Sequence, residues 1–318
     1  FIRSGRELHE QGLYVELKAF QYHVFLDFRE VYDSSGEYAR LTKQLNGRGV
    51  QDLQEELQLM QLLPVHQKLN GLINRERLEL FQNISCSRSK PSVATELSLS
   101  TIVNMYREFL EQVKLKLIGS WDIDLVVEEF KTQIKLIRQL LTIGLRLDRR
   151  DYSFKDFTTQ RNSLILLSWL VSDCVERFGT RGASHKLLIG KELGKIFRSF
   201  NFEKEIVEES VEMLKILILD GIYSSSEPYL FGEFFDSPEV QKFIKANDHL
   251  GVRYFNKERF EELMEWLFTI SVIKQGRITL SQLKSRYNIF QKILKVSEKS
   301  EYKFEEFRRA IIRESKDR

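Results

Sequence analysis

Hydrophobic and polar positions follow a helical period along most of this chain, and one stretch departs from it. In residues 12–31, GLYVELKAFQYHVFLDFREV, Leu13, Val15 and Leu17 alternate with Tyr14, Glu16 and Lys18. Period two is the pattern of a strand with one buried face. The alternation then slips: Phe20, Tyr22, Val24, Leu26 and Phe28 continue it in the opposite parity. A slip of one residue sends side chains to the other face, so a bend, bulge or strand break is expected at residues 18–20. Aromatic and β-branched residues dominate the stretch, as strands prefer. One or two strands cannot bury this much apolar surface alone. Phe1 is not a natural start and residues 2–10 offer no partner strand, so the partner strands are expected upstream of Phe1.

Behind this stretch the pattern is helical. Tyr38, Leu41 and Leu45 share one face of a short helix over 37–45, which Gly47-Arg48-Gly49 stops. The wider spacing of a phosphate loop is absent there. Asp52 suits an N-cap with Glu55 at the capping-box position. That helix is expected to run to Leu63, with Pro64 ending it and opening another over 65–81. Residues 85–100 are rich in Ser with Pro91 in the middle, and read as a linker. The expected division is therefore 1–84, a linker at 85–100, and a helical domain at 101–318. Within the last, helices are expected over 101–118, from Asp122 to about 147, and over 161–178, 186–200 and 203–219. Others are expected over 238–246, 257–273, about 280–296 and 304–315. SLILLSWLV in residues 163–171 is too short to span a bilayer and fits a central buried helix. The fold class is mainly α, a helical bundle-like array with a small N-terminal β remnant of one or two strands from a β-domain.

Composition narrows the function classes. Lys and Arg number 49 against 46 Asp and Glu, and a net charge of +3 gives no electrostatic case for nucleic acid or membrane as partner. Cys86 and Cys174 stand in no CxxC or His-bearing frame and read as reduced thiols. Of the compartments the cytoplasm is favoured. His9, His23, His66, His185 and His249 show no metal-ligand spacing, so neither a metal nor a cofactor is expected. His23 lies on the polar parity of its strand and reads as a half-exposed histidine. Asp27 and Glu30 are close in sequence, but residues three apart along a strand point to opposite faces, so a salt bridge to Arg29 or to a helix residue is expected rather than acid–base catalysis. Arg146, Arg149, Arg150, Lys155 and Arg161 alternate with Tyr152, Phe154 and Phe157, while Asp148, Asp151 and Asp156 dilute the charge; an interhelix loop is the reading. The aromatic loop 221–235 is read as anchored to the helices by Tyr223, Tyr229, Phe231, Phe234 and Phe235. No nucleophile motif is present, and no catalytic or substrate-binding residue can be assigned.

Two stretches carry a resemblance. GLYVELKAFQYHVFLDFREVYD with LNGRGVQDLQEEL resembles the region just after the catalytic barrel in large members of the α-amylase family, glycoside hydrolase family 13. LGVRYFNKERFEELMEWLF, residues 250–268, resembles a recurring stretch of the helical extension of those proteins, with a shortened turn between Val252 and Phe255. The two cover about a fifth of the chain. The resemblance implies the non-catalytic C-terminal accessory region of an α-glucan-acting hydrolase. Its partner would be the upstream catalytic barrel of the same polypeptide, with aid to α-glucan positioning as a further implied role. Enzymes of that family use an Asp nucleophile, a Glu acid/base and a second Asp on barrel strands. None of those motifs is in this sequence, and a barrel of about 250 residues of alternating strand and helix has no place in it. The alternative is a stand-alone helical module that binds a protein partner through an apolar helix face.

Overall fold

The computed structural model describes residues 1–85, 92–117, 122–143, 157–178, 182–219 and 234–316. The chain is mainly α-helical, and the only sheet among the described residues has two strands. It divides into two compact units, Phe1–Pro64 and Val65–Arg318.

The first unit holds α1 (Gly5–Gln11), α2 (Glu37–Leu45) and the start of α3 (Leu53–Leu72). Its core is small: Leu41, Leu45 and Leu57 are buried, with Ile2, Tyr38, Val50, Leu53 and Met60 packed against them. Asp52 caps α3 by accepting from the backbone N–H of Gln54 at 2.8 Å and of Glu55 at 3.2 Å. Asp33 accepts from the N–H of Ala39 at 2.8 Å, which fixes the first turn of α2 and holds the Asp33 carboxyl below its usual range. Beyond α2, Asn46 and Gly47 take left-handed conformations, and the Asn46 N–H returns to the Thr42 carbonyl at 3.0 Å. The Gly-Arg-Gly stretch is thus part of a helix stop.

Two expectations fail in this unit. Residues 12–31 form no strand. A lone extended segment has no ladder to join, and the unit contains no other strand, so the backbone stays extended without regular pairing. Pro64 does not end its helix either: α3 runs through it to Leu72. Pro removes one N–H and crowds the preceding turn, yet the apolar residues on both sides, Leu62, Val65 and Leu69, are buried and hold the helix together. The break comes instead at Asn74, whose side chain accepts from the Arg77 N–H at 3.0 Å and starts α4 (Arg75–Ser85).

In the second unit, α5 (Val93–Lys114) begins earlier than Ser100. Ser92 and Thr95 form a reciprocal capping box, so the second half of the Ser-rich stretch is helix rather than linker. α6 (Ile123–Ile143) follows, capped by Asp122, which accepts from Asp124 N–H at 2.8 Å. α7 (Gln160–Phe178) is the central helix: Leu164, Ile165, Leu166, Leu167, Trp169 and Val171 are fully buried, because α4, α5, α6, α9 and α10 surround it. The expected helix at 186–200 is two, α8 (Ala183–Lys186) and α9 (Ile189–Ser199), separated where Leu188 adopts φ 51°. α10 (Lys204–Leu219) and α11 (Pro238–Phe243) come next, the latter with Ser237 as cap and Pro at its first position.

The sheet lies elsewhere than expected. β1 (Asn247–His249) pairs antiparallel with β2 (Val252–Tyr254), Asn247 opposite Tyr254 and His249 opposite Val252. Leu250 and Gly251 both have positive φ, 51° and 78°, the pattern of a two-residue type I′ hairpin. β1 is Asn-Asp-His and each strand is only three residues long, too short to carry a period-two signal, which is why the pattern of the sequence did not show it. α12 (Lys257–Ile273), α13 (Leu280–Lys299) and α14 (Phe304–Lys316) complete the chain. Asn256 caps α12 by accepting from the Arg259 N–H at 2.9 Å. Asn256→Ala is expected to remove about 1 kcal/mol, a loss of about 2–4 °C in melting temperature for a unit of this size, read by calorimetry. No helix among the described residues is long and apolar enough to cross a membrane.

Candidate functional site

The feature that ordinary folding does not explain is residues 12–31. In their second arm, Tyr22 is 81% exposed, Val24 66%, Leu26 78% and Phe28 78%. Single exposed apolar residues are normal, but a contiguous run marks an interaction surface. The backbone agrees. Among the described residues, the only hydrogen bonds of this stretch join Gly12 N–H to Leu8 O, Gln21 N–H to Lys18 O, and Lys18 N–H to the Gln21 side chain. The N–H and C=O groups of residues 13–17 and 22–31 are left to solvent. Segments that are both apolar and unpaired along the backbone are templates for strand addition.

The segment curls over its own unit and encloses an open cavity of about 1130 Å³, lined among others by Phe1, Arg3, Tyr14, His23, Phe25 and Asp27. Phe25 is its most sheltered aromatic, edge-on to Phe1 at 6.1 Å and to His23 at 6.1 Å. His23 itself is exposed rather than half-exposed. Asp27, Arg29 and Glu30 are exposed and form no ion pair among the described residues, so the expected salt bridge is not made there. An ion pair at this exposed position would gain little.

Other candidates resolve into structure. Arg161 donates to Glu262 at 2.8 Å and to the Ser210 hydroxyl at 3.0 Å, tying α7 to α12 and α10. Glu262 also accepts from Arg259 at 3.2 Å, and Arg259 reaches Glu209. Arg161 therefore lies on α7 in a half-buried network rather than in an interhelix loop. Its companions Arg146, Arg149, Arg150 and Lys155 lie outside the described residues, as do residues 221–233 of the aromatic loop and Cys86. Phe235 is described and is buried against Phe260 and Phe307, so that end of the loop is anchored. No cluster of three or more His, Cys, Asp or Glu fit to hold a metal occurs among the described residues.

One buried polar cluster was not anticipated. Glu192 on α9 is 6% exposed and His66 on α3 is 4% exposed. Glu192 accepts from Asn70 at 2.7 Å and from Lys195 at 2.8 Å, and its other contact is His66 Nδ1 at 3.7 Å. His66 Nε2 meets the Leu187 carbonyl at 2.8 Å. Burial pushes the Glu192 carboxyl up, but the hydrogen bonds from Lys195 and Asn70, with the attraction of Lys195 and His66, outweigh it and hold the group below its usual range. The signal was present in the sequence: Glu192 sits on the same helical face as Ile189, Leu193 and Ile196, all buried. A charge on an apolar stripe asks for a partner.

No protein-family model matches the chain, and neither a curated protein nor a solved structure is significantly similar to it.

Proposed function

We propose that the chain is the non-catalytic helical accessory region of an α-glucan-acting glycoside hydrolase of the α-amylase type. In this reading residues 12–31 close the open edge of a β-domain belonging to the catalytic part. The single observation that supports it is the exposed, backbone-unpaired run of Tyr22, Val24, Leu26 and Phe28, within the very residues that resemble the post-barrel strands of that family. Its helices would form a rigid module beside the catalytic part, and the chain supplies no catalytic group.

The test is made on the native polypeptide, isolated from its source cells with an antibody to this segment. Its expected mass exceeds 37.7 kDa by a barrel of about 250 residues and its attachments, and it releases reducing sugar from soluble starch. The isolated chain releases none. A native band at 37.7 kDa without starch activity would overturn the proposal.

The second reading is a stand-alone interaction module. It would bind a protein partner through an apolar helix face; exposed Val93 and Leu97, four residues apart on α5, support that reading. Under the first reading the amides of residues 13–17 and 22–31 exchange rapidly in the isolated chain, which fits their having no hydrogen-bond partner among the described residues. The stand-alone reading predicts slow exchange there, and mass spectrometry distinguishes the two.

A further inference from the structure

We propose that the outer face of α13 is a docking surface for double-stranded DNA, which it holds by the phosphate backbone without regard to base sequence. Residues 274–299 carry seven basic side chains against one acidic, Glu298. That is a net +6 in a chain whose total is +3, so the remaining residues are net −3 and the near-balance of the whole conceals the asymmetry. The helix lies in the second unit and owes nothing to residues 12–31.

The fold gathers four of these charges into one row. Lys284, Lys292, Lys295 and Lys299 are exposed, and with exposed Asn288 they recur every three or four residues, the spacing of one helix face. The opposite face fixes the helix in place: Leu283, Phe290, Ile293 and Val296 are buried, and the Phe290 ring stacks on Phe268 of α12 at 5.2 Å. None of the four lysines makes an ion pair or a side-chain hydrogen bond among the described residues. Glu298, the one acid on the helix, acts on Lys257 of α12. Exposed lysines elsewhere pair within the chain, as Lys68 does with Glu108 and Lys242 with Glu212. Others stand singly, as Lys43, Lys116, Lys135 and Lys245 do. Like charges three and four residues apart repel and weaken a helix, and no described residue offsets that repulsion here.

The chemistry of the row selects its partner. Lys284 to Lys299 span about 22 Å of helix, so the partner must present negative charge along a line of that length. A DNA duplex does so, with about one phosphate per 1.7 Å of axis. Lysine supplies the charge, and Ser281, Ser285 and Asn288, exposed beside it, are donors of the kind that contact phosphate. A single strand would be held by stacking on aromatic rings, but the aromatic residues of α13, Tyr287 and Phe290, both pack on Phe268. A helix that lies on a membrane turns its apolar side to the lipid, and the apolar side of α13 is buried. A second copy lacks the charge. No described helix carries four unpaired exposed acids: Asp124 is held by Arg107, Glu128 by Lys131, Glu209 by Arg259 and Glu212 by Lys242. Among duplexes, B-form DNA has a major groove about 12 Å wide, which admits a helix, whereas that of A-form RNA is too deep and narrow for side chains to read.

The test is fluorescence anisotropy of the full chain with a labelled DNA duplex of about 20 base pairs, titrated at about 50 mM salt and upward. The logarithm of the affinity is expected to fall linearly with that of the salt concentration, with a slope of about −3.6 for four neutralised phosphates. Lys284→Gln, Lys292→Gln, Lys295→Gln and Lys299→Gln combined are expected to weaken binding at low salt by on the order of a hundredfold or more and to flatten the slope towards zero. Each alone should reduce the slope by about 0.9. The control combines Lys43→Gln, Lys116→Gln, Lys135→Gln and Lys245→Gln, which remove the same net charge, and is expected to bind within about twofold of wild type. All eight lysines are exposed and unpaired, so both variants keep the helical circular dichroism of the wild type. Equal losses in the two variants, or no binding by the wild type at low salt, would overturn the proposal. Tighter binding of duplex RNA of the same sequence, of vesicles of phosphatidylserine and phosphatidylcholine, or of poly-L-glutamate would overturn DNA as the occupant.

Discussion

Phe260→Ala is expected to lower the unfolding free energy of the second unit by about 3–5 kcal/mol, the range for deleting a buried aromatic ring. Phe260 is fully buried near the start of α12. Its ring lies 4.9 Å from Phe255, 5.2 Å from Phe307 and 5.7 Å from Phe235, centroid to centroid. Phe255 and Phe307 are themselves 5.4 Å apart. Tilted and edge-on rings at these distances add about 0.5–1.5 kcal/mol per pair beyond area burial. Four segments meet there: the chain before α11, the end of the β1–β2 hairpin, α12 and α14. Removing the ring opens a cavity that all four border, and no one of them can shift to fill it without releasing the others. By contrast, the exposed Arg253–Asp248 pair across the hairpin is worth about 0–1 kcal/mol, as surface pairs are. Urea titration reads the difference: the midpoint falls and the slope stays, as long as unfolding remains two-state. A loss below about 1 kcal/mol would mean that the cluster is not a packed core. Phe260→Leu should recover part of the loss.

The helices were legible because their signals are local. Asp52 and Asp122 announced helix starts and both cap as the sequence suggests. The run around Trp169 announced a buried helix by being apolar on all sides. What failed depended on partners elsewhere. The alternation in residues 12–31 is a statement about which face meets a core, and its own unit, residues 1–64, holds no strand to meet it. Pro64 was weighed by its own propensity, while burial of Val65 and Leu69 decides the helix. The β1–β2 hairpin rests on two residues of positive φ, Leu250 and Gly251, and Leu is not a residue that advertises that conformation. For the exposed segment, residues 12–31, its extent and its parity slip were legible in the pattern of the sequence. The turn at Lys18–Gln21 is visible only in its backbone hydrogen bond.

Glu192→Gln should destabilise the second unit by about 2–3 kcal/mol near neutral pH, the scale of losing hydrogen bonds to a buried charged group. The amide keeps the shape and can still accept from Asn70. It loses the charge that Lys195 and His66 face, and presents donors of its own to the donors around it. The pH dependence carries the sharper test. The folded carboxyl titrates below its ordinary value of 4.5, so the unfolded chain binds the proton first as pH falls. The contribution of Glu192 is therefore complete above about pH 5 and is lost as pH drops through the lowered folded value. The stability gap between wild type and Glu192→Gln should be constant from pH 7 to about 5 and shrink towards pH 3. Acid effects at other carboxylates are common to both proteins and cancel in the gap. Lys195→Met, which removes the half-exposed cation and keeps the stem, should narrow the gap at pH 7 without abolishing it, because Asn70 and His66 remain. A gap unchanged down to pH 3 would mean that the Glu192 carboxyl titrates alike in the folded and unfolded chain, and a gap that widens as pH falls from 7 to about 5 would mean that burial outweighs its partners and raises it.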